Sequence, residues 1–350
     1  MIPLFKIHWD KSDIETVAKV IKSGKNWAIG KEVEELEKAV SKYVGVKHGV
    51  AFSSGTTALH ALMLAYGIKE GDEVIVPSFT FVATANCILF VGAKPVFAEI
   101  ERDSLGLDPE DVERKITDKT KAIIAVHYGG CPCEIRKLKR IAKRHKLLLI
   151  EDACEALGAK VGNFGDASVF SFCQNKIVTS GEGGMVTTND SKLTEKLRLL
   201  RNHGKLGDDT VVLGYNFRMP NLLAALALSQ FKRINKIVAK RRSNARYLTK
   251  LLFNGEIQDD HTYQLYTILF CKDRDKKKEA LEKGGVCPKI YFTPIHLTKL
   301  YKSLGYCEGQ LPITEQISKE VLTLPMYPDL TRKEMDQMAK ILCKMISSDE

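Results

Sequence analysis

The run Ser171-Phe172-Cys173-Gln174-Asn175-Lys176, continuing into Thr179-Ser180-Gly181-Glu182-Gly183-Gly184-Met185, sets one lysine between a strand-like segment and a glycine-rich turn. Upstream, the apolar run Leu147-Leu148-Leu149-Ile150 ends in the acids Glu151-Asp152. Outward from these two points, from about residue 48 to 190, short apolar runs alternate with amphipathic ones, as a succession of βαβ units does. Residues 50–52, 73–76, 95–97, 122–126, 147–150 and 168–172 read as strands. Residues 56–66, 81–91, 108–116 and 133–145 read as helices between them. Connections that carry helices predict a mainly parallel sheet covered on both faces. Its ligand site is then expected at the carboxyl ends of the strands. Ser53-Ser54-Gly55-Thr56-Thr57, Pro77-Ser78-Phe79-Thr80-Phe81, Glu151-Asp152 and Lys176 all follow predicted strands, so they converge on one edge.

After Pro220 a long helical run, 222–250, leads toward a smaller domain. There 263–270 reads as a strand, and 276–283 and 333–347 as helices. The expected division is a large domain over 1–235 and a smaller α+β domain over 236–350, with the residues before about 25 free to pack on either.

Composition narrows the class. With 350 residues, 44% hydrophobic and 27% charged, the chain has the makeup of a folded protein with a large core. The net charge of +10 is spread along the chain in runs such as 137–146, which read as solvated helix faces. No basic-aromatic motif marks a nucleic-acid partner. No apolar stretch approaches the ~20 residues that span a bilayer. Nine cysteines, an odd number with no secretion signal before them, predict reduced thiols and a cytoplasmic location. The one close pair, Cys131-Pro132-Cys133, lacks the usual metal spacing and no metal site is expected.

The residues at the strand ends suggest a chemistry. A lysine partly desolvated beside Phe172 is expected to have a lowered pKa, which frees its amine to form a Schiff base with an aldehyde cofactor. Asp152 is placed to face a pyridinium nitrogen and keep it protonated, although a helix cap is the plain alternative for such an acid. Glu155 is expected near the cofactor's phenolic oxygen or the substrate. The hydroxyls and free N–H groups of the Ser53–Thr57 turn suit a phosphate at a helix N-terminus, and Ser171 supplies a further hydroxyl. Phe81, with Phe79 as competitor, offers a surface on which a flat ring can stack.

These residues resemble the sugar aminotransferases among the fold-type I pyridoxal-phosphate (PLP) enzymes. The resemblance covers nearly the whole chain. It is carried by Gly71-Asp72-Glu73-Val74-Ile75-Val76-Pro77, Gly92-Ala93-Lys94-Pro95-Val96-Phe97, Glu151-Asp152-Ala153, Gly181-Glu182-Gly183-Gly184-Met185 and Gly214-Tyr215-Asn216-Phe217-Arg218-Met219. It implies an α/β fold of the fold-type I PLP-dependent transferase kind, with a mainly parallel sheet. Lys176 is implied as the cofactor-bearing lysine, Asp152 as the pyridinium partner, Thr56, Thr57 and Ser171 as phosphate contacts and Phe81 as the stacking ring. Asn216 would reach the cofactor phosphate of a neighbouring subunit, which implies a homodimer with shared sites. Arg218 and His296, the latter in Pro294-Ile295-His296, are implied on the substrate side. The implied substrates are L-glutamate and a nucleotide-diphosphate 4-keto-6-deoxy sugar. Many relatives carry glutamine where Glu155 stands, and this departure points to the nucleotide-sugar 4-aminotransferases. Two rival readings remain on the same scaffold: a sugar dehydratase, whose family replaces the lysine with histidine, and a regulatory protein that uses the cofactor as a sensor.

Overall fold

A computed structural model describes residues 1–346. The chain opens with α1 (Lys11–Lys22) and α2 (Lys31–Val44). Strands and helices then follow as β1 (His48–Phe52), α3 (Gly55–Ala65), β2 (Glu73–Pro77), α4 (Ala83–Leu89), β3 (Lys94–Ala98), α5 (Pro109–Arg114), β4 (Thr120–Val126), α6 (Ile135–His145), β5 (Leu148–Asp152), β6 (Ala167–Ser171) and β7 (Gly184–Thr188). Next come α7 (Ser191–Arg201), a small hairpin of β8 (Lys205–Leu206) and β9 (Asp209–Thr210), α8 (Asn221–Phe231) and α9 (Ile234–Phe253). The described chain closes with β10 (Tyr266–Leu269), α10 (Arg274–Lys283), α11 (Lys299–Ser303), α12 (Pro312–Glu320), β11 (Val321–Leu324) and α13 (Arg332–Ile346). Of the helix expected over 333–347, residue 347 lies outside the described residues.

Seven strands form one sheet in the order β1-β7-β6-β5-β4-β2-β3. β2 through β6 run parallel, while β7 is antiparallel to both of its neighbours. Side-chain alternation splits the core. Val74 and Val76 point to the layer holding Leu59 and Leu62 of α3, whereas Ile75 points to the layer holding Leu138 and Ile141 of α6. Burial on both faces is why these strands read as continuous apolar runs. Parallel pairing brings the carboxyl ends of β2, β4, β5 and β6 to one edge, where the chemically distinctive residues lie.

Two expectations change. The single helix expected over 222–250 is two, because the chain turns at Lys232 and Arg233. Arg233 there donates to Asp13 of α1 through Nη2 (2.8 Å) and Nη1 (3.1 Å), a contact distant in sequence. The small domain also is not the continuous block 236–350. Its own core joins α9, β10, α10, β11 and α13 through residues such as Leu248, Ile268, Leu281, Leu322 and Met338. Between them, Ile295, Tyr301 and Leu311 return to the large-domain core. Tyr301 donates to Asn86 (2.9 Å), and Glu99 accepts from the backbone N–H groups of Ile313 and Thr314 (both 2.9 Å). The N-terminus spans both units: Ile2 sits in the small-domain core, while Ser12 of α1 hydrogen-bonds Ser229 of α8 (3.2 Å).

Candidate active site

Asp152 is the last residue of β5, and its carboxylate is held at both oxygens. Thr84 of α4 donates its hydroxyl to Oδ2 at 2.8 Å, and the Cys154 N–H reaches Oδ1 at 3.2 Å. Thr80 continues the chain, its hydroxyl 3.0 Å from that of Thr84. Glu155 lies in the turn beyond. One of its oxygens accepts from Lys176 Nζ (3.2 Å) and the other from the Gly129 N–H (2.9 Å). Asp152, Glu155 and Lys176 therefore form one cluster, with only 14% of the lysine side chain exposed.

The lowered lysine pKa expected from desolvation is overturned. Burial does push the ammonium down, but Glu155 foremost, with Asp152 adding to it, lifts the pKa above the ordinary lysine value. Two carboxylates around one ammonium outweigh the loss of water. The neighbouring Glu151 has a different job. It accepts from His127 (3.0 Å), Ser168 (3.0 Å) and the backbone N–H groups of Gly162, Phe164 and Gly165 (each 2.8 Å). Burial opposes its charge, yet His127 and the backbone donors bring its pKa down to about 2.

The Ser53–Thr57 turn, expected to take a phosphate, meets β6 closely. A Cβ built on Gly55, the first residue of α3, would come 3.1 Å from Cys154 Sγ and 3.6 Å from Ser171 Oγ. Glycine thus lets the helix N-terminus approach the Ser171 hydroxyl with no side chain between them. The Thr56 side chain makes no hydrogen bond among the described residues and is half-buried. Thr57 is different: its hydroxyl donates to the Ser54 carbonyl (2.9 Å) and accepts from the Ser54 N–H (3.0 Å) in a capping box. It is occupied in holding the turn. Phe81 is 60% exposed three residues before Thr84, whereas Phe79 is fully buried against Tyr128, so of the two only Phe81 presents a free ring.

Three other expected residues lie outside this cluster. Asn216 is exposed and accepts from Arg218 Nε (3.0 Å), while Arg218 Nη1 binds Asn202 (2.9 Å). The block is tied to the Ser53–Thr57 turn by the Ser53 N–H, which donates to the Phe217 carbonyl (2.8 Å). Arg218 also lines a separate cavity of about 630 Å³ with Ile29, Arg198 and Asn202. His296 departs from its expected place at a substrate. It is 0% exposed, with Nδ1 2.7 Å from the Ser78 hydroxyl and Nε2 3.1 Å from Glu315. The chain returning from the small domain carries it into the core rather than to an opening. Thr84, Gly129 and Cys154 were not singled out by sequence. The partners of Thr84 and Gly129 are distant in sequence, whereas Cys154 bonds Asp152 two residues before it.

The cluster suits pyridoxal phosphate: a lysine and an acid at adjacent strand ends, and a helix N-terminus whose glycine leaves room beside Ser171. A mostly parallel sheet with this lysine and acid at its carboxyl edge is the architecture of a fold-type I PLP-dependent aminotransferase. The chain belongs to the DegT/DnrJ/EryC1/StrS aminotransferase family, whose profile matches residues 8–343. It is a sugar aminotransferase with pyridoxal phosphate as cofactor. A GDP-perosamine synthase of Vibrio cholerae is 37% identical, with 99% of each chain covered. A "pleiotropic regulatory protein" of Geobacillus stearothermophilus is 38% identical over 94% of this chain and 93% of its own. The crystal structure of NtdA from Bacillus subtilis, with bound cofactor PMP, superposes with a TM-score of 0.91 at 31% identity, covering 96% of this chain and 82% of that one. Among the described residues no helix is long and apolar enough to cross a membrane, and no cluster of ligands suits a metal ion.

Proposed function

We propose that the chain transfers the amino group of L-glutamate to a nucleotide-diphosphate 4-keto-6-deoxy sugar, in the manner of a GDP-perosamine synthase. The observation that supports this most is the single cluster of Asp152, Glu155 and Lys176 beside the N-terminus of α3. Pyridoxal phosphate, when bound, supplies the electron sink for the broken Cα–H bond. Thr56, Ser171 and the free N–H groups of the Ser53–Thr57 turn would hold its phosphate, with Thr57 fixing the turn. Phe81 would stack on its ring. Asp152, oriented by Thr84 and the Cys154 N–H, would hold the proton at the ring nitrogen. Lys176 Nζ would carry the cofactor at rest and, once released, take the donor's Cα proton. His296 would act only through Ser78, by fixing the turn that leads to Phe81.

The same reading includes a homodimer. Leu206, Val211, Val212 and Leu213 are exposed around the β8–β9 hairpin, Leu213 by 81%, and Trp27 and Ile29 are exposed as well. An apolar surface of this kind favours a second copy of the chain. Asn216, exposed nearby, would complete the partner's phosphate site, and Arg218 would hold Asn216 in place. Mixed dimers of Lys176→Ala and Asn216→Ala chains test this. If each lost group serves a different subunit's site, mixing restores one complete site and partial activity; an absence of recovery on mixing refutes shared sites.

The function itself is tested with L-glutamate and a panel of GDP-, UDP- and dTDP-linked 4-keto-6-deoxy sugars, reading the amino sugar by mass spectrometry and 2-oxoglutarate by a coupled assay. The similarity to a regulatory protein keeps one second reading alive. Bleaching of the visible cofactor band by glutamate, with no amino sugar formed from any acceptor, would favour that reading.

A further inference from the structure

We propose that Gln264 is a positioning residue for Lys176: by donating to the Asn175 carbonyl it fixes the peptide unit that carries Lys176, and so fixes where Nζ can reach. This rests on the reading of Lys176 as the lysine that bears the cofactor and later takes the donor's Cα proton. The bond acts on the backbone, so it holds the lysine alike whether Nζ is tied to the cofactor or released from it.

Both ends of one peptide plane are held. The Asn175 carbonyl accepts from Gln264 Nε2 at 2.6 Å, and the N–H of the same unit, that of Lys176, donates to the Cys173 carbonyl at 2.9 Å. A peptide unit is planar, so fixing its two polar groups leaves the lysine Cα little freedom. Among the described residues no other donor reaches the Asn175 carbonyl. The next residue does the matching task for the lysine's partner: the Leu265 N–H donates to the Gly129 carbonyl (3.0 Å), and the Gly129 N–H donates to Glu155 Oε2 (2.9 Å). Two consecutive residues just before β10 therefore set the two sides of the 3.2 Å contact between Lys176 Nζ and Glu155.

Gln264 is itself aimed by a costly piece of backbone. Tyr263 takes φ 55°, a left-handed conformation that a bulky aromatic residue adopts only where its surroundings enforce it. Buried Arg241 of α9 donates through Nη1 to the Tyr263 carbonyl (2.9 Å) and to the Met326 carbonyl beyond β11 (2.8 Å), and the Tyr263 ring stacks on His261 with centroids 4.1 Å apart. On the other side the Thr262 N–H bonds the Gly130 carbonyl (3.0 Å). The clamp thus runs from the small-domain core to the lysine loop. Gln264 is buried, yet its Oε1 has no partner among the described residues, so only the end facing Asn175 is used. A side chain serving the core alone has both ends satisfied. An apolar residue of the same length would fill this space as well, and what it would lack is the N–H toward Asn175.

The test uses the full-length chain in two states. In the cofactor-free protein, amide hydrogen exchange read by mass spectrometry on peptides covering 173–177 reports the freedom of the lysine loop. Gln264→Met, of the same length but without the donor, is expected to speed exchange there by about tenfold or more, with the strands of the large sheet unchanged. Loaded with pyridoxal phosphate, the variant is expected to run the glutamate half-reaction about 10²-fold more slowly at an apparent glutamate affinity within a few-fold of the parent, because a displaced lysine slows its step without weakening donor binding. Gln264→Leu, which also lacks the donor, should behave alike. Unchanged exchange at 173–177, or faster exchange with an unchanged half-reaction, overturns the proposal. So does an equal rise in exchange over the whole sheet with a fall in melting temperature, which would make Gln264 a general support. Lys176→Ala separates the two readings: if that variant still runs the half-reaction at the parental rate, it is the role of Lys176 that fails, whatever the exchange at 173–177 shows.

Discussion

Two chains of polar side chains sit at the same carboxyl edge of the sheet, and they are built to opposite ends. At the end of β2, Ser78, His296 and Glu315 form a sealed row: both ring nitrogens of His296 are taken, and Glu315 accepts further from the Gly309 N–H (2.8 Å) and the Leu311 N–H (3.3 Å). At the ends of β5 and β6, Asp152, Glu155 and Lys176 form a row with capacity to spare, beside a free Thr56 hydroxyl and an exposed Phe81. Place in the fold is equal for both. What distinguishes a site from a strut is unspent hydrogen-bonding and charge near an opening, whereas full satisfaction in the dry core marks a group that stabilises.

The sharpest way to break this comparison is to remove a member of each row. Lys176→Ala should keep the fold while lowering transamination by at least about 10³-fold, measured as single turnover with glutamate, a loss far larger than any change in stability. His296→Ala should do the reverse. It strands the buried Glu315 carboxylate and the Ser78 hydroxyl and should cost about 3 kcal/mol in denaturant unfolding, with turnover per folded molecule within a few-fold of the parent. If His296→Ala instead raised KM for the sugar with stability intact, the histidine would belong to the substrate after all.

Acid sharpens the contrast within the tandem acids of β5. Glu151 has its pKa depressed to about 2 in the folded chain, so the unfolded chain binds the extra proton first as pH falls. Its stabilising contribution is therefore fully present above about pH 4.5 and is lost as pH falls from there through about 2. The total is about 3 kcal/mol, and Glu151→Gln should flatten the stability slope across that window. A slope identical in the variant would mean that Glu151 is not the acid-sensitive group.

How much of this could be read in the sequence depends on the range of the contacts. The expected strands of the large sheet emerge within a residue or two, since 73–76 and 122–126 carry their own apolar pattern and the parallel sheet requires it, whereas the strand expected over 263–270 shrinks to Tyr266–Leu269. The convergence of Asp152 and Lys176 was likewise legible, because each follows a strand and the strands are parallel neighbours. Strand β7 was hidden by the glycine-rich turn before it. The break at Arg233 depends on Asp13, and the docking of residues around Tyr301 depends on Asn86, partners that no local pattern announces. The burial of His296 follows from that docking. The direction of the Lys176 pKa shift was missed for the same reason: desolvation can be inferred from an apolar neighbour, but the distance to Glu155 cannot.

The smallest effect lies at the join between strut and site. Thr84 is buried in α4 and donates to Asp152 Oδ2, with Thr80 behind it, so it belongs by burial to the sealed class and by contact to the active one. Thr84→Val keeps the shape and removes the donor. The carboxylate retains the Cys154 N–H on its other oxygen, so the loss should be limited to one hydrogen bond to a charged group, about 1–2 kcal/mol. If that loss fell on the fold alone, only the melting temperature would move. Because Asp152 is expected to pair with the ring nitrogen, part of it should appear in the loaded enzyme, as a several-fold weaker cofactor affinity and a shift in the pH at which the visible band changes. Thr84→Ser, which restores the hydroxyl without the methyl group, should reverse the spectral change more fully than the stability change. Equal recovery of both would place Thr84 with the struts.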